Sequence, residues 1–174
     1  MRSVTEKAVG ILLGSGKTVA VAESLTAGLL AAEFVCVPGV SAVFRGGVVS
    51  YATDLKISLL GVDAELAERE GVVNAPVALQ MAQGAAECCG SDFALSTTGV
   101  AGPGPNEGKA AGTVFIGCVG AGLRIAREYH FSGTRNDVRK GTVKAAMELF
   151  LRELEKFEGI RPNFSGNFRN DLGT

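Results

Sequence analysis

The sequence predicts an α/β fold, a three-layer α/β/α sandwich around a mixed parallel and antiparallel sheet. Two short apolar runs, T-V-A-V-A at 18–22 and D-F-A-L-S-T at 92–97, have the continuous hydrophobicity of strands buried on both faces. Helical periodicity separates them, as a sheet covered by helices on both faces requires. The segments G-T-V-F-I-G-C-V-G (112–120) and L-R-I-A-R-E-Y-H-F (123–131), joined by Ala121-Gly122, read as a hairpin that makes part of the sheet antiparallel.

Each element has a local cause. Ser3 and Glu6 form a capping-box pattern, after which Val4, Ala8, Ile11 and Leu12 recur at helical spacing until Gly14 and Gly16. The strand at 18–22 runs into Glu23-Ser24-Leu25-Thr26-Ala27-Gly28, and a helix is expected from about Leu25 to Val35. A turn at 37–40 precedes a long strand, A-V-F-R-G-G-V-V-S-Y, with a bulge or bend at Gly46-Gly47. A short helix is expected from Asp54 to Leu60. Asp63 caps another that ends near Gly71, and Pro76 opens a third that runs to about Cys89 and Gly90. The last helix starts near Thr134 and extends towards Lys156.

A chain of 174 residues, 47% hydrophobic, suits one domain with a sizeable core, here residues 1–158. The remainder, 159–174, has turn-forming residues and no periodicity, and is expected to be an irregular tail, free or held on a partner subunit. The net charge is −1 with lysine and arginine scattered, which argues against nucleic-acid or anionic-membrane binding. With no signal-peptide pattern and no apolar stretch near the ~20 residues that span a bilayer, the protein is expected to be cytoplasmic.

The four cysteines, Cys36, Cys88, Cys89 and Cys118, lack C-x-x-C spacing and read as free thiols. A single histidine, His130 in the hairpin, makes a catalytic metal improbable and leaves little room for a Ser-His-Asp arrangement. A serine nucleophile here would have lysine as its natural base.

Polar residues crowd where strands end, at Glu23 to Thr26, Ser50 to Thr53 and Ser96 to Gly99. Ligands gather outside strand ends in open α/β sheets, so these ends are expected to converge on one pocket. From pattern alone Ser24 reads first as a cap of the helix behind it, Lys56 as a solvated lysine and Tyr51 as an ordinary strand-end residue. Buried beside Ser24, however, Lys56 would lose its charge and could take the serine proton. The Gly- and Pro-rich loop 99–105 permits close approach of backbone to a ligand, and Ser132-Gly133-Thr134-Arg135 offers helix N–H groups and a guanidinium fork for a phosphate.

The blocks A-E-S-L-T-A-G (22–28), V-P-G-V-S-A-V-F-R-G-G-V-V-S-Y (37–51), L-K (55–56), L-L-G-V (59–62), T-G-V-A-G-P (98–103), G-T-V (112–114) and F-S-G-T-R (131–135) resemble, in order, the CinA C-terminal domain family. The resemblance covers roughly residues 5–155. It implies an amidase that converts nicotinamide mononucleotide to nicotinate mononucleotide and ammonia in pyridine-nucleotide recycling; with the histidine count above, no metal and no cofactor are expected. It places the catalytic residues on Ser24, Tyr51 and Lys56, and substrate binding on Glu23, Thr26, Thr98, Gly99, Ala101, Gly102 and Arg135. It further implies the stand-alone form, without an N-terminal molybdopterin-binding-like domain, and a homo-oligomer, a dimer or larger. Leu25 and Ala27 stand where the family has Cys and Gly, Asn74 replaces a capping Ser, and K-A-A-G-T-V replaces K-P-V-G-T-V. The alternative is a non-catalytic nucleotide-binding or competence- and DNA-damage-associated accessory module.

Overall fold

A computed structural model describes residues 3–157; the expected tail at 159–174 lies outside them. Helix α1 (Val4–Ser15) opens with the predicted capping box, Ser3 and Glu6 each accepting the other's backbone N–H, and closes on left-handed Gly16. The other elements are β1 (Val19–Glu23), α2 (Leu29–Val35), a 3₁₀ turn (Val40–Ala42), β2 (Phe44–Val49), α3 (Thr53–Leu60), α4 (Ala64–Glu70), α5 (Ala75–Cys89), β3 (Phe93–Gly99), β4 (Thr113–Gly120), β5 (Leu123–His130) and α6 (Arg135–Phe157).

The five strands form one sheet in the order β2-β1-β3-β4-β5. β1 pairs in parallel with both β2 and β3, whereas β3-β4 and β4-β5 are antiparallel. The mixed sheet between two helical layers is thus the predicted one. At the β4–β5 hairpin both turn residues have positive φ, Ala121 at 49° and Gly122 at 82°, the geometry of a type I′ turn.

The two faces of the sheet differ in side-chain size. Val19, Val21, Phe93, Leu95, Val114 and Ile116 point to one face and pack with α1, α2 and α6. Their alternates Ala20, Ala22 and Ala94 point to the other face, towards α3, α4 and α5. Small side chains on that face let α5 lie close to the strands, and α3 packs on α5.

Two boundaries differ from the sequence expectation. The long strand at 42–51 is shorter, because a 3₁₀ turn takes up Val40–Ala42. The bulge lies just before the expected Gly46-Gly47: the register slips between Val19 and Ala20, so that Arg45 has no partner on β1 while both glycines are paired. The helix expected from Leu25 begins only at Leu29. Ser24 N–H still donates to the Thr97 carbonyl at 3.0 Å as an extension of the ladder, and Ala27 and Gly28 take φ of 48° and 95°, which no helix accepts. The chain therefore makes a tight turn at 24–28 before the helix can start.

Candidate active site

The parallel trio β2-β1-β3 brings three polar strand ends side by side. Ser50 N–H donates to the Glu23 carbonyl at 2.9 Å, and Ser24 N–H to that of Thr97 at 3.0 Å, which locks the ends in register. A cavity of about 150 Å³ opens above them, and Ser24, Leu25, Tyr51, Lys56, Thr98 and Gly99 all line it. A larger, more apolar hollow of about 300 Å³ between α1, α2 and α6 has no such convergence of strand ends.

Lys56 dominates the electrostatics of this cavity. It projects from α3 and is only 1% exposed. Nζ donates to the carbonyl oxygens of Ser50 at 2.8 Å and Tyr51 at 3.2 Å. Burial lowers its pKa from the ordinary lysine value, partly offset by the negative charges of Glu107 and Asp54. A neutral amine has two N–H bonds and one lone pair; with both N–H bonds directed at carbonyls, the lone pair remains to accept a proton. Beside Lys56, Ser50 is fully buried, and its Oγ has no hydrogen-bond partner among the described residues.

Ser24 is 8% exposed at the first position after β1 and does not cap α2. Glu23 has that task. Its buried carboxylate accepts from the N–H groups of Gly28 at 2.9 Å, Leu30 at 3.0 Å and Ala31 at 2.8 Å. An anion at the positive end of a helix needs no further counter-charge. Glu23 and Thr26 therefore do not line the cavity: one closes the helix end, and the other pairs its hydroxyl with that of Thr97 at 2.7 Å. Thr98 lines the cavity while donating its hydroxyl to the Val72 carbonyl at 2.7 Å.

Ala101, Gly102 and Arg135 line a neighbouring hollow of about 190 Å³. Arg135 ties the two together at their rim. Nη1 donates to the Gly102 carbonyl at 2.8 Å and Nη2 to Tyr51 Oη at 2.7 Å, although the Tyr51 side chain is otherwise exposed. The α6 N-terminus itself is already occupied, contrary to the sequence expectation. The Asp137 carboxylate accepts from Thr134 N–H at 2.8 Å and from its hydroxyl at 2.6 Å, so an anion in this hollow would rely on the Arg135 side chain.

The family model of the CinA C-terminal domain matches residues 1–154. The chain belongs to that family. It is 46% identical over 146 residues to a CinA-like protein of Frankia casuarinae, covering 84% of this chain and 34% of the relative. The chain thus spans about a third of the length of the curated relatives it matches. Among solved structures, a CinA superfamily protein from Klebsiella pneumoniae superposes with a TM-score of 0.84 at 28% identity, covering 88% of this chain and 96% of that one. The competence/damage inducible protein CihA from Agrobacterium tumefaciens gives 0.79 at 33% identity, with 89% and 98% covered.

This CinA domain also brings to the site residues that the sequence did not single out. Asn106 and Glu107 line the cavity from the loop after β3, where Glu107 accepts the Val72 N–H at 2.7 Å. Arg139 of α6 reaches the turn behind Ser24. None of the three had a local signal, because their placements depend on how distant loops and helices pack.

The left-handed conformation of Ala27 has a measurable cost. A left-handed alanine is disfavoured by about 1 kcal/mol or more, part of which a glycine forfeits through greater unfolded-state freedom. Ala27→Gly is expected to raise the melting temperature by about 2 °C. A calorimetric scan showing a lower melting temperature would mean that the turn does not strain alanine.

Proposed function

We propose that this CinA domain is an amidohydrolase that deamidates nicotinamide mononucleotide to nicotinate mononucleotide and ammonia, with Ser24 as nucleophile and Lys56 as base. The burial of Lys56 in the cavity that holds Ser24 is the observation that supports it most, since a lysine must shed its proton to act as a base.

Ser24 Oγ attacks the carboxamide carbon as its proton passes to Lys56 Nζ. The tetrahedral intermediate collapses when Nζ protonates the departing nitrogen, the C–N bond breaks and ammonia leaves. Water then attacks the acyl-serine, giving a proton to Lys56, and the nicotinate carboxylate departs as Ser24 regains its hydrogen. Tyr51, held by Arg135 at the rim, would donate to the same network. The near-neutral charge of the chain favours this reading over a DNA-associated accessory module.

Incubation with nicotinamide mononucleotide should release ammonia stoichiometrically with the acid, followed by a coupled ammonia assay and chromatography. No ammonia under varied pH and salt would overturn the assignment. The catalytic unit is further proposed to be a homo-oligomer, and light scattering that shows only monomer would exclude that.

Arg135→Ala should act mainly on substrate affinity. The guanidinium is the cation at the second hollow, and removing one charge-assisted contact to a phosphate is worth about 1.5–3 kcal/mol, or roughly a 10- to 100-fold rise in KM. Freeing Tyr51 and the Gly102 loop should lower kcat less than that. Steady-state kinetics with an unchanged KM would place the phosphate elsewhere.

A further inference from the structure

Glu107 shares the wall of the Ser24 cavity with Lys56, and its backbone is held in a costly conformation to put it there. Asn106 and Lys109 exchange both backbone hydrogen bonds, at 3.0 and 2.9 Å, so Glu107-Gly108 are the central residues of a tight turn. Both are left-handed, with φ of 48° and 70°, as in a type I′ turn. Asparagine, aspartate or glycine suits the first of these positions, whereas a glutamate there is disfavoured and serves something other than the turn.

Its carboxylate shows what that is. Oε2 accepts the Val72 N–H at 2.7 Å, in a space open only because residue 71 is glycine: a Cβ at Gly71 would overlap the carboxylate. On the other side of the same residue, the Thr98 hydroxyl donates to the Val72 carbonyl at 2.7 Å. Val72 is thus held by both its backbone polar groups, and with Val73 it forms a buried apolar stretch of the cavity wall. The Val72 N–H fixes the carboxylate without neutralising it. Of the two negative charges that favour the protonated form of Lys56, Glu107 is the stronger, and Asp54 in the first turn of α3 is the other. The remaining groups around the amine are Tyr51, whose carbonyl accepts from Nζ, and Arg135, which engages the Tyr51 hydroxyl.

We propose that Glu107 is a positioning residue whose carboxylate supplies the counter-charge for the lysinium formed at Lys56 as Ser24 attacks. The inference rests on Lys56 being the base. When the Ser24 proton passes to Nζ, a neutral amine becomes a buried cation facing two carbonyl dipoles. An anion already fixed by the Val72 N–H meets that charge with no rearrangement during the step. Separation is part of the arrangement: among the described residues Nζ bonds only to carbonyls, and a direct ion pair would hold the lysine protonated and remove the base.

Glu107→Gln separates charge from shape, because the amide oxygen can still accept the Val72 N–H and the fold should melt within a few degrees of the parent. Lys56 is titrated directly by NMR of lysine labelled with carbon-13 at Cε, its signal assigned by its absence in Lys56→Met; no amide substrate is involved. A nearby anion favours the charged amine, so its removal should move the Lys56 midpoint to lower pH, and Asp54→Asn should move it less. On nicotinamide mononucleotide, the acid limb of kcat/KM should move the same way. Plateau kcat should fall about three- to ten-fold, a modest loss because solvent screens an exposed carboxylate, while KM changes little. A glutamate that only held the loop would leave the midpoint where it was. An unmoved midpoint in folded Glu107→Gln would overturn the proposal, as would a moved midpoint with parental plateau kcat. A moved midpoint in a protein whose parent releases no ammonia from the mononucleotide would uphold the coupling of Glu107 to Lys56 and remove only the substrate assignment.

Discussion

Lys56→Arg is expected to abolish turnover, lowering kcat on the order of 10⁴-fold or more. Arginine can still donate to the Ser50 and Tyr51 carbonyls but cannot surrender a proton at working pH, so the substitution separates a base from an electrostatic anchor. Ser24→Ala should cost as much, and the double variant scarcely more, because the two groups act in one step. The guanidinium is larger than the ammonium it replaces at a buried position, so some loss of melting temperature will accompany Lys56→Arg, and rates are best compared well below it. Lys56→Met, which keeps the stem and removes the nitrogen, should be equally inactive. In the parent, burial holds the lysine pKa below its usual ~10.4. Activity should therefore rise with pH through that lowered value to a plateau. Stability should rise with pH as well, from the lowered value up to ~10.4, because there the unfolded chain binds a proton that the folded chain does not. Retention of activity within a few-fold in Lys56→Arg would make Lys56 an anchor, with the base to be sought at Tyr51 or a bound water.

Gly84→Ala should be the most damaging of the small substitutions. On a free helix surface, glycine to alanine gains about 1 kcal/mol. At Gly84 the sign reverses, because the new Cβ would overlap the backbone carbonyl of Leu60 at the end of α3. Backbone cannot rotate aside as a side-chain tip can, so α3 and α5 must separate, at a cost of about 3 kcal/mol and a fall in melting temperature of roughly 6–12 °C. Since α3 carries Lys56, the separation should also depress kcat in the protein that remains folded. A stabilised Gly84→Ala, measured by thermal or urea melts, would show that the helices are not in contact there.

Much of the fold was legible because its signals are local: the capping box of α1, Asn74 and Pro76 opening α5, the Ala121-Gly122 hairpin, and unbroken apolar runs in β1 and β3. The convergence of Ser24, Tyr51, Lys56, Thr98 and Gly99 followed from three polar strand ends. What escaped was set by packing. T-D-L-K-I-S-L-L gives no hint that its lysine is buried, since that depends on α3 packing on α5 and turning Lys56 onto the Ser50 and Tyr51 carbonyls. The start of α2 was misplaced because Glu23, read as a site residue, caps the helix from five residues upstream of its first bonded N–H. Nothing around Arg139 in N-D-V-R-K marks a partner more than a hundred positions earlier in the chain.

The nucleophile and its base are attached to parts of the molecule with unequal resistance to opening. Ser24 follows directly on β1, which is buried along its whole length and bonded on both edges, so its amides should exchange with solvent only when the whole domain unfolds. Lys56 rides on an eight-residue helix with only two fully buried side chains, one of them its own. Such a segment opens at a fraction of the global free energy, and its amides should exchange correspondingly sooner. Mild denaturant would then extract the base while leaving the serine and its turn in place, and catalysis would fade across a range of conditions in which circular dichroism still reports an intact protein.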